Sequence, residues 1–306
     1  MKILVTGGSG FIGSHVVEHF QGRAAVRVLD NFRTGYRHNL DGLDCEILEG
    51  SITDKSAVQR AMDGVDYVFH LAALVSVPES MERIGECVDI NVHGLLNVLE
   101  AAKEAQVRKL VFASSAAVYG ENPEMPKVET MLPEPRSPYA VTKLDGEYYC
   151  DLFTREGWLP TACLRFFNVF GPRQDPHGAY AAALPIFIER ALAGKILEVH
   201  GDGEQTRDFI YVKDIVSALA FCALAEGHTG VCNCGYGNAL SLNTLIEKIL
   251  VATRSPSRIQ YGDARPGDIK HSLASAQKLH TAGWQPESGF DAGLAATLAA
   301  FRKASG

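Results

Sequence analysis

The chain has 306 residues, of which 46% are hydrophobic and 21% charged, and its net charge is −7. This length and composition are typical of a globular protein with one large domain and a smaller one attached, and they exclude a disordered chain. Basic residues are scattered and neither a membrane span nor a leader is visible, so we expect a cytoplasmic protein without nucleic-acid or membrane partners.

Short β-branched runs alternate with amphipathic helical stretches in the first half of the chain. The predicted strands are 2–7, 25–30, 45–50, 67–73, 109–115 and 159–169. The predicted helices are 12–21, 54–63, 85–106 and 138–156. Buried strands alternating with helices form right-handed crossovers and a parallel sheet covered on both faces. The first half is therefore predicted to be a doubly wound parallel α/β domain of the Rossmann type.

The second half is less regular. It mixes helical segments such as ALPIFIERALAGK and DIVSALAFCALAE with short strand-like runs and turns. We expect residues 171–306 to form a smaller α/β cap and residues 1–170 to form the main domain, whose ligands the motifs below indicate as NAD for the main domain and the substrate for the cap. The two are expected to interleave, with the segment at about 211–237 returning to the first domain.

A glycine-rich turn follows the first predicted strand, in VTGGSGFIGSH. Gly7, Gly10 and Gly13 stand three apart between a strand and a helix, where glycines permit a tight turn and close approach of a dinucleotide pyrophosphate. Asp30 ends the second strand, where an acid bonds the adenine-ribose hydroxyls and repels a 2′-phosphate. NAD is therefore favoured over NADP, although Arg33 lies close by and an arginine there accommodates such a phosphate.

The segment SPYAVTK places a tyrosine and a lysine one helical turn apart. If a helix begins near Pro138, Tyr139 and Lys143 lie on one face. Ser115 ends the strand KLVFASS, and by topology it opens onto the same crevice as the glycine turn. A neighbouring ammonium and a positive nicotinamide ring would favour the phenolate of Tyr139 and lower its pKa. The three side chains together predict a dinucleotide-dependent active site.

At this point the sequence resembles the extended short-chain dehydrogenase/reductase family, and within it the nucleotide-sugar 4-epimerases that act on UDP-glucose or UDP-N-acetylglucosamine. The resemblance runs over nearly the whole chain. The matching motifs are TGGSGFIGSH, HLAALVSVPES, NVHGLLNVLEAA, SSAAVYG, SPYAVTK, LRFFNVFGPRQ, GDGEQTRDFIYVKD and RPGDIKHS.

The resemblance implies a role for each site residue. Tyr139 would be the catalytic base, Lys143 would hold its phenolate and the nicotinamide ribose, and Ser115 would bond the sugar hydroxyl or relay its proton. The residues implied to contact NAD are Gly7, Gly10, Phe11, Ile12, Gly13, Asp30, Asn31, Ser51, Ile52, Leu71, Ala72, Ala73, Asn91, Tyr139, Lys143 and Phe166. The residues implied to contact the UDP-sugar are Ser76, Ser115, Asn168, Arg207, Arg265, Asp268 and Ser272. No metal is implied.

Some positions bear on how tightly the cofactor is retained, and others bear on which reaction is catalysed. Ser51 stands where the family usually has an aspartate that bonds the adenine, which predicts weaker retention of the cofactor. Ala116 and Ala117 stand where a 4,6-dehydratase of this superfamily carries Asp-Glu, and alanine cannot transfer protons. An epimerase or decarboxylase of UDP-glucuronate shares Ser115, Tyr139 and Lys143, which we call the triad, and stays open as an alternative. A non-catalytic dinucleotide sensor is the alternative from another class, disfavoured because all three residues are retained.

Two further expectations concern the substrate and the assembly. Ser272 resembles the family's size gate, where a small residue leaves room for an N-acetyl group, and Ser76 would lie on the opposite wall. UDP-GlcNAc and UDP-GalNAc are therefore expected substrates beside UDP-glucose and UDP-galactose. The predicted helices 85–106 and 138–156 carry extra apolar stripes, and in this family such helices pair, so we expect a homodimer.

Overall fold

The computed structural model describes residues 1–178, 181–264 and 270–304 of the chain. Strands and helices alternate in the first half, as predicted. The strands are β1 (Lys2–Thr6), β2 (Ala25–Asp30), β3 (Glu46–Glu49), β4 (Tyr67–His70), β5 (Lys109–Ser115) and β6 (Thr161–Phe166). The helices are α1 (Phe11–His19), α2 (Lys55–Met62), α3 (Val77–Glu82), α4 (Ile84–Val88), α5 (Gly94–Glu104) and α6 (Pro138–Arg155).

The second half contributes shorter strands and five more helices within the described residues. Its strands are β7 (Asn168–Phe170), β8 (Leu197–His200), β9 (Thr206–Tyr211), β10 (Gly230–Cys234), β11 (Ala239–Ser241) and β12 (Ile259–Gly262). Its helices are α7 (Ala183–Leu192), α8 (Val212–Leu224), α9 (Leu242–Thr253), α10 (Gln277–Thr281) and α11 (Phe290–Ala304). In the three described stretches, no helix has the length and apolarity needed to cross a membrane.

A seven-stranded parallel sheet forms the centre of the molecule, in the order β10-β6-β5-β4-β1-β2-β3. Successive residues of β1 pack into different clusters, with Ile3 and Val5 on one face and Leu4 on the other. Both faces are thus buried, which is typical of a doubly wound parallel sheet and confirms the predicted fold class. The strand order reverses between β1 and β4, where such folds form a crevice at the carboxyl ends of the strands.

Two predicted elements are divided in the structure. The predicted strand 159–169 splits after Phe166, because β7 leaves the central sheet and pairs with β9 in a three-stranded sheet. The predicted helix 85–106 comprises α4, a π-helical turn over Asp89–His93, and α5. Such π-helical turns occur often at functional sites, and this one faces the crevice.

The cap-side elements have their own core, in which α7, α9 and α11 pack around β8 and β9. β10 adds to the central sheet beside β6, with Cys232 opposite Leu164. The later part of the chain therefore contributes to both units, and the domain boundary at residue 170 stays a prediction.

Candidate active site

The glycine turn is packed so closely that side chains would not fit. Gly7 has a φ of +73°, and a Cβ there would lie 2.7 Å from the backbone nitrogen of Ala72. A Cβ on Gly13 would lie 2.1 Å from the carbonyl oxygen of Gly7. The turn thereby brings the first turn of α1 onto the end of β1, and Phe11 and Ile12 open into a cavity of about 1040 Å³. A helix amino terminus facing a cavity is suited to bind a pyrophosphate.

Asp30 lies at the end of this cavity that is predicted to hold the adenosine of the cofactor. Its buried carboxylate accepts hydrogen bonds from the backbone nitrogens of Ser9 and Phe32, each at 2.8 Å. Asn31, Ser51 and Ile52 also line this end. The Ser51 hydroxyl lies 2.8 Å from the Thr53 hydroxyl and accepts the Thr53 backbone N–H.

Arg33 forms ion pairs with two carboxylates. Its guanidinium lies 2.8 Å from a Glu79 oxygen and 2.9 Å from a Glu86 oxygen. The sequence raised the question of whether this arginine would serve a 2′-phosphate. In the structure its charge is balanced by two carboxylates.

Leu71, Ala72 and Ala73 line the cavity, whereas Asn91 lies behind it. The Asn91 side chain accepts a hydrogen bond from the Leu74 nitrogen at 2.7 Å and donates to the Leu74 oxygen at 3.0 Å. It also donates to the Thr142 hydroxyl of α6 at 3.0 Å. These hydrogen bonds connect the loop after β4 to α6, and the expected contact of Asn91 with the cofactor stays a prediction.

Ser115, Tyr139 and Lys143 line the same cavity as the glycine turn, as their pattern indicated. Helix α6 begins at Pro138 because the Ser137 hydroxyl accepts the Ala140 N–H at 3.2 Å and proline suits the first helical position. Tyr139 and Lys143 therefore share a face, and the lysine nitrogen lies 5.8 Å from the centre of the tyrosine ring. That nitrogen donates to the carbonyl oxygen of Ala113 at 2.8 Å.

The pKa values of the pair are set chiefly by burial. Burial raises the pKa of Tyr139, and a hydrogen bond with Ser115 opposes that shift without overcoming it. Burial lowers the pKa of Lys143 to about 8, against the opposing charge of nearby Glu147. The expected lowering of the tyrosine pKa is thus not achieved by the protein side chains alone. The positive nicotinamide ring, which the sequence argument also invoked, is the remaining source of that shift.

A buried ion pair lies next to the residues of the triad, Ser115, Tyr139 and Lys143. The Glu147 carboxylate accepts two hydrogen bonds from Arg165, at 2.8 and 2.7 Å, and one from the Ser114 hydroxyl at 2.5 Å. Glu147 is one turn beyond Lys143 on α6, while Ser114 immediately precedes Ser115. The pair therefore joins α6, β5 and β6 at the point where the three catalytic candidates meet.

The predicted substrate contacts divide into three groups. Asn168 and Arg207 line a second cavity, of about 590 Å³, together with Arg190, His200 and Gln205. Ser76 caps α3 by accepting the Glu79 N–H at 3.1 Å, and the Ser272 N–H donates to the Thr206 oxygen at 3.1 Å. These two serines line neither cavity. Arg265 and Asp268 lie outside the described residues.

Several cavity residues were given no role from the sequence. Phe167, Val169 and Gln174 line the cavity beside Phe166 and belong to the motif LRFFNVFGPRQ, which could have identified them. Glu86, Asp89 and His93 also line the cavity and lie on or near the π-helical turn. Of these three, Glu86 and Asp89 lie outside the matching motifs, and a π-helical turn inside an amphipathic helix has no distinct local pattern.

The cavity suits a dinucleotide, because it is lined by the glycine turn, by the amino terminus of α1 and by Asp30, the acid predicted to bind the adenine ribose. Residues 3–235 match the NAD dependent epimerase/dehydratase family, and the chain belongs to that family. The extended short-chain dehydrogenase/reductase resemblance is thereby confirmed. The protein is an enzyme of an NAD-dependent epimerase family, and its cofactor is NAD.

Three solved structures resemble the whole chain. The UDP-N-acetylglucosamine 4-epimerase of Methanobrevibacter ruminantium M1, solved with UDP-N-acetylmuramic acid, is 39% identical over 99% of this chain and 98% of its own, with a TM-score of 0.95. The UDP-glucose 4-epimerase of Thermotoga maritima, solved with UDP-glucose, is 38% identical over 100% of both chains, with a TM-score of 0.96. That of Thermus thermophilus, solved with NAD, is 38% identical over 99% of this chain and 100% of its own, with a TM-score of 0.90.

Proposed function

We propose that this protein interconverts the C4 epimers of UDP-hexoses, acting on UDP-GlcNAc and UDP-GalNAc as well as UDP-glucose and UDP-galactose. The observation that carries the proposal is the convergence of Ser115, Tyr139 and Lys143 on the cavity that begins at the glycine turn. The likeness to the Methanobrevibacter and Thermotoga enzymes supports the substrate class.

In the proposed reaction, Tyr139 accepts the proton of the sugar's 4-hydroxyl as C4 becomes a ketone, and later returns the proton to the epimeric oxygen. NAD, which the glycine turn and the residues around Asp30 would hold, would supply the reversible hydride chemistry at C4 that epimerisation requires. Ser115, hydrogen-bonded to Tyr139, orients the hydroxyl that loses its proton. Lys143, held by the Ala113 carbonyl, stabilises the phenolate by its charge.

On the substrate side, we propose that Asn168 and Arg207 hold the diphosphate, because they line the second cavity and a guanidinium is suited to phosphate oxygens. Arg265, Asp268, Ser76 and Ser272 keep their predicted roles at the diphosphate, the uridine ribose and the sugar. We also propose that Asn91 acts indirectly, by positioning the loop that contacts the cofactor.

The residues directly after Ser115 disfavour a 4,6-dehydratase. Ala116 and Ala117 begin a 3₁₀ turn there, and neither has a side chain that could transfer the protons needed to remove water across C5 and C6. UDP-glucuronate epimerisation or decarboxylation, and cofactor binding without turnover, remain the alternatives that the experiment below must separate.

We further propose that the protein forms a homodimer through α6 and the neighbouring α3. Val141, Tyr148 and Leu152 of α6 are exposed, as is Met81 of α3. They form an apolar face on the outside of the helix that carries the catalytic pair. The prediction assigned the pairing to the predicted helices 85–106 and 138–156, and Ile84 at the start of α4 is also exposed.

The test is to incubate the purified protein, without added cofactor, separately with UDP-GlcNAc, UDP-glucose and UDP-glucuronate, and to follow C4 epimers by proton NMR. We expect UDP-GalNAc and UDP-galactose to appear, and neither to appear with the Tyr139→Phe variant. Reaction with UDP-glucuronate alone would replace the proposal by the uronate alternative. Absence of reaction with all three, also with NAD supplied, would favour a non-catalytic binding protein.

A further inference from the structure

Arg33 occupies a position from which it could decide between the two nicotinamide dinucleotides. It lies three residues beyond Asp30 and lines the same end of the cavity. Arginine is the side chain best suited to a phosphate monoester, since its planar fork can donate two parallel hydrogen bonds. An arginine here would by itself favour NADP, which carries an additional phosphate on the adenine ribose.

Two acids from another part of the chain occupy this arginine. Glu79 lies on α3 and Glu86 on α4, and both carboxylates are within 2.9 Å of the same guanidinium nitrogen. The contact between these two helices and the loop after β2 is a tertiary one, since 46 positions in the sequence separate Arg33 from Glu79. Arg83, between the two acids, pairs with Glu86 at 3.3 Å and so helps fix them.

We call the group formed by Arg33, Glu79 and Glu86 beside the cavity the rim. Its charges are unfavourable to the binding of another negative charge. An additional phosphate would have to displace two carboxylates from Arg33 while lying near the Asp30 carboxylate, which lines the same cavity. NAD places only ribose hydroxyls there, and these need no cation. The rim therefore penalises NADP specifically, whereas it leaves NAD unaffected.

We propose that Glu79 and Glu86 are cofactor-specificity residues, which exclude NADP by neutralising Arg33. This inference rests on the NAD cofactor and is independent of which UDP-sugar the enzyme accepts. It predicts that removing the two negative charges frees the guanidinium for a 2′-phosphate. Discrimination will fall only in part, because Asp30 remains.

The test measures which nucleotide the protein holds. The wild-type protein and the Glu79→Gln/Glu86→Gln double variant are incubated with equal concentrations of NADP and isotopically labelled NAD until the resident nucleotide has been replaced. Bound nucleotides are then separated by desalting, released by acid and quantified by chromatography. We expect the bound NADP-to-NAD ratio to rise by about tenfold in the double variant, the change expected for one charge-assisted contact.

Two further variants identify the cause. Adding R33A to the double variant should return the ratio to near the wild-type value, because the freed guanidinium is then gone. The matched control is Glu104→Gln/Glu121→Gln, which removes the same charge from exposed positions that do not line the cavity. It should leave the ratio unchanged.

A ratio unchanged in the double variant, or a gain that survives the loss of Arg33, would overturn the proposal. A gain of equal size in the control would also overturn it, since net charge would then be the cause. If the double variant fails to fold, E79Q and E86Q are measured singly, and each should give a smaller gain that Arg33→Ala abolishes. Because the readout is nucleotide occupancy, it is unaffected if the proposed sugar substrates prove wrong.

Discussion

At the scale of single residues, the reactive groups were predictable and their ionisation was not. Tyr139 and Lys143 stand four apart after a Ser-Pro helix start, a local signal that the structure confirms. Their pKa values depend instead on burial by segments distant in the sequence. For that reason the sequence argument expected a lowered tyrosine pKa, whereas the folded protein raises it and lowers that of the lysine.

The lysine sets a pH limit on the proposed reaction. Because the pKa of Lys143 is lowered to about 8, its charge is lost as the pH rises through that value, and the phenolate loses its stabilising partner. We expect the epimerisation rate to fall above about pH 8, measured by NMR from about pH 6 to about pH 10.

The same shift gives a control on folding. Between about pH 8 and the ordinary lysine pKa of 10.5, the unfolded chain binds a proton at this lysine that the folded chain lacks. This group therefore makes the free energy of unfolding increase with pH in that window. Lys143 therefore does not itself destabilise the fold in this range, and circular dichroism at each pH separates a loss of chemistry from unfolding. A rate that stays level to about pH 9.5 would contradict the role given to Lys143.

Ser272 tests the predicted size gate. Replacing Ser272 with tyrosine should fill the space expected for the N-acetyl group, lowering kcat/KM for UDP-GlcNAc by about ten- to a hundredfold while UDP-glucose changes little. Ser272→Ala is the matched control and should leave both substrates unaffected, since only the Ser272 backbone N–H has a described hydrogen bond. An equal loss for both sugars would show that this residue does not select between them.

At the scale of secondary structure elements, regular alternation was predictable and interruptions were not. The strands β1 to β5 and helix α6 follow their predicted ranges closely, because each has its own hydrophobic period or cap. The break after Phe166 depends on where β7 finds its partner, and the π-helical turn depends on packing around the cavity. Neither the strand break nor the π-helical turn has a distinct pattern in the local sequence.

The Glu147–Arg165 pair connects α6 to the sheet beneath the site. Both side chains are almost fully buried, at 3% and 4% exposure. Glu147→Gln leaves the buried guanidinium without its counter-ion, so we expect the free energy of unfolding to fall by about 3 to 5 kcal/mol in urea titrations.

The matched control for that change is Glu100→Gln. Glu100 pairs with Lys55 at 2.9 Å, but both side chains are half exposed, and such pairs contribute only about 0.2 to 1 kcal/mol. Similar small losses in both variants would show that the buried pair is not the connection described here.

At the scale of the whole molecule, the sequence predicted a parallel sheet covered on both faces, with the glycine turn and Ser115 facing one crevice, and the structure confirms both features. It could not predict in detail which cap segments form which small sheets, since β11 and β12 are short and pair with strands far along the chain. The two substrate residues Arg265 and Asp268 lie outside the described residues, so their predicted roles await experiment.

The exposed face of α6 predicts the assembly. We expect light scattering to give twice the 33.1 kDa chain mass, because Val141, Tyr148 and Leu152 would be buried between two copies. Val141→Glu/Tyr148→Glu should give the single-chain mass. Val251→Glu, at an equally exposed apolar position on α9, is the control and should leave the mass unchanged. A wild-type protein with the mass of one chain would contradict the proposed homodimer.

In the proposed reaction, the hydride removed from C4 of the sugar stays in the cavity on retained NAD, while Tyr139 carries the hydroxyl proton. To test this, UDP-glucose deuterated at C4 is supplied in ordinary water, without added cofactor, and the product is examined by NMR. We expect UDP-galactose that keeps its deuterium at C4, and no product with Tyr139→Phe. UDP-galactose carrying protium at C4, or equal turnover by the variant, would show that this reaction does not occur.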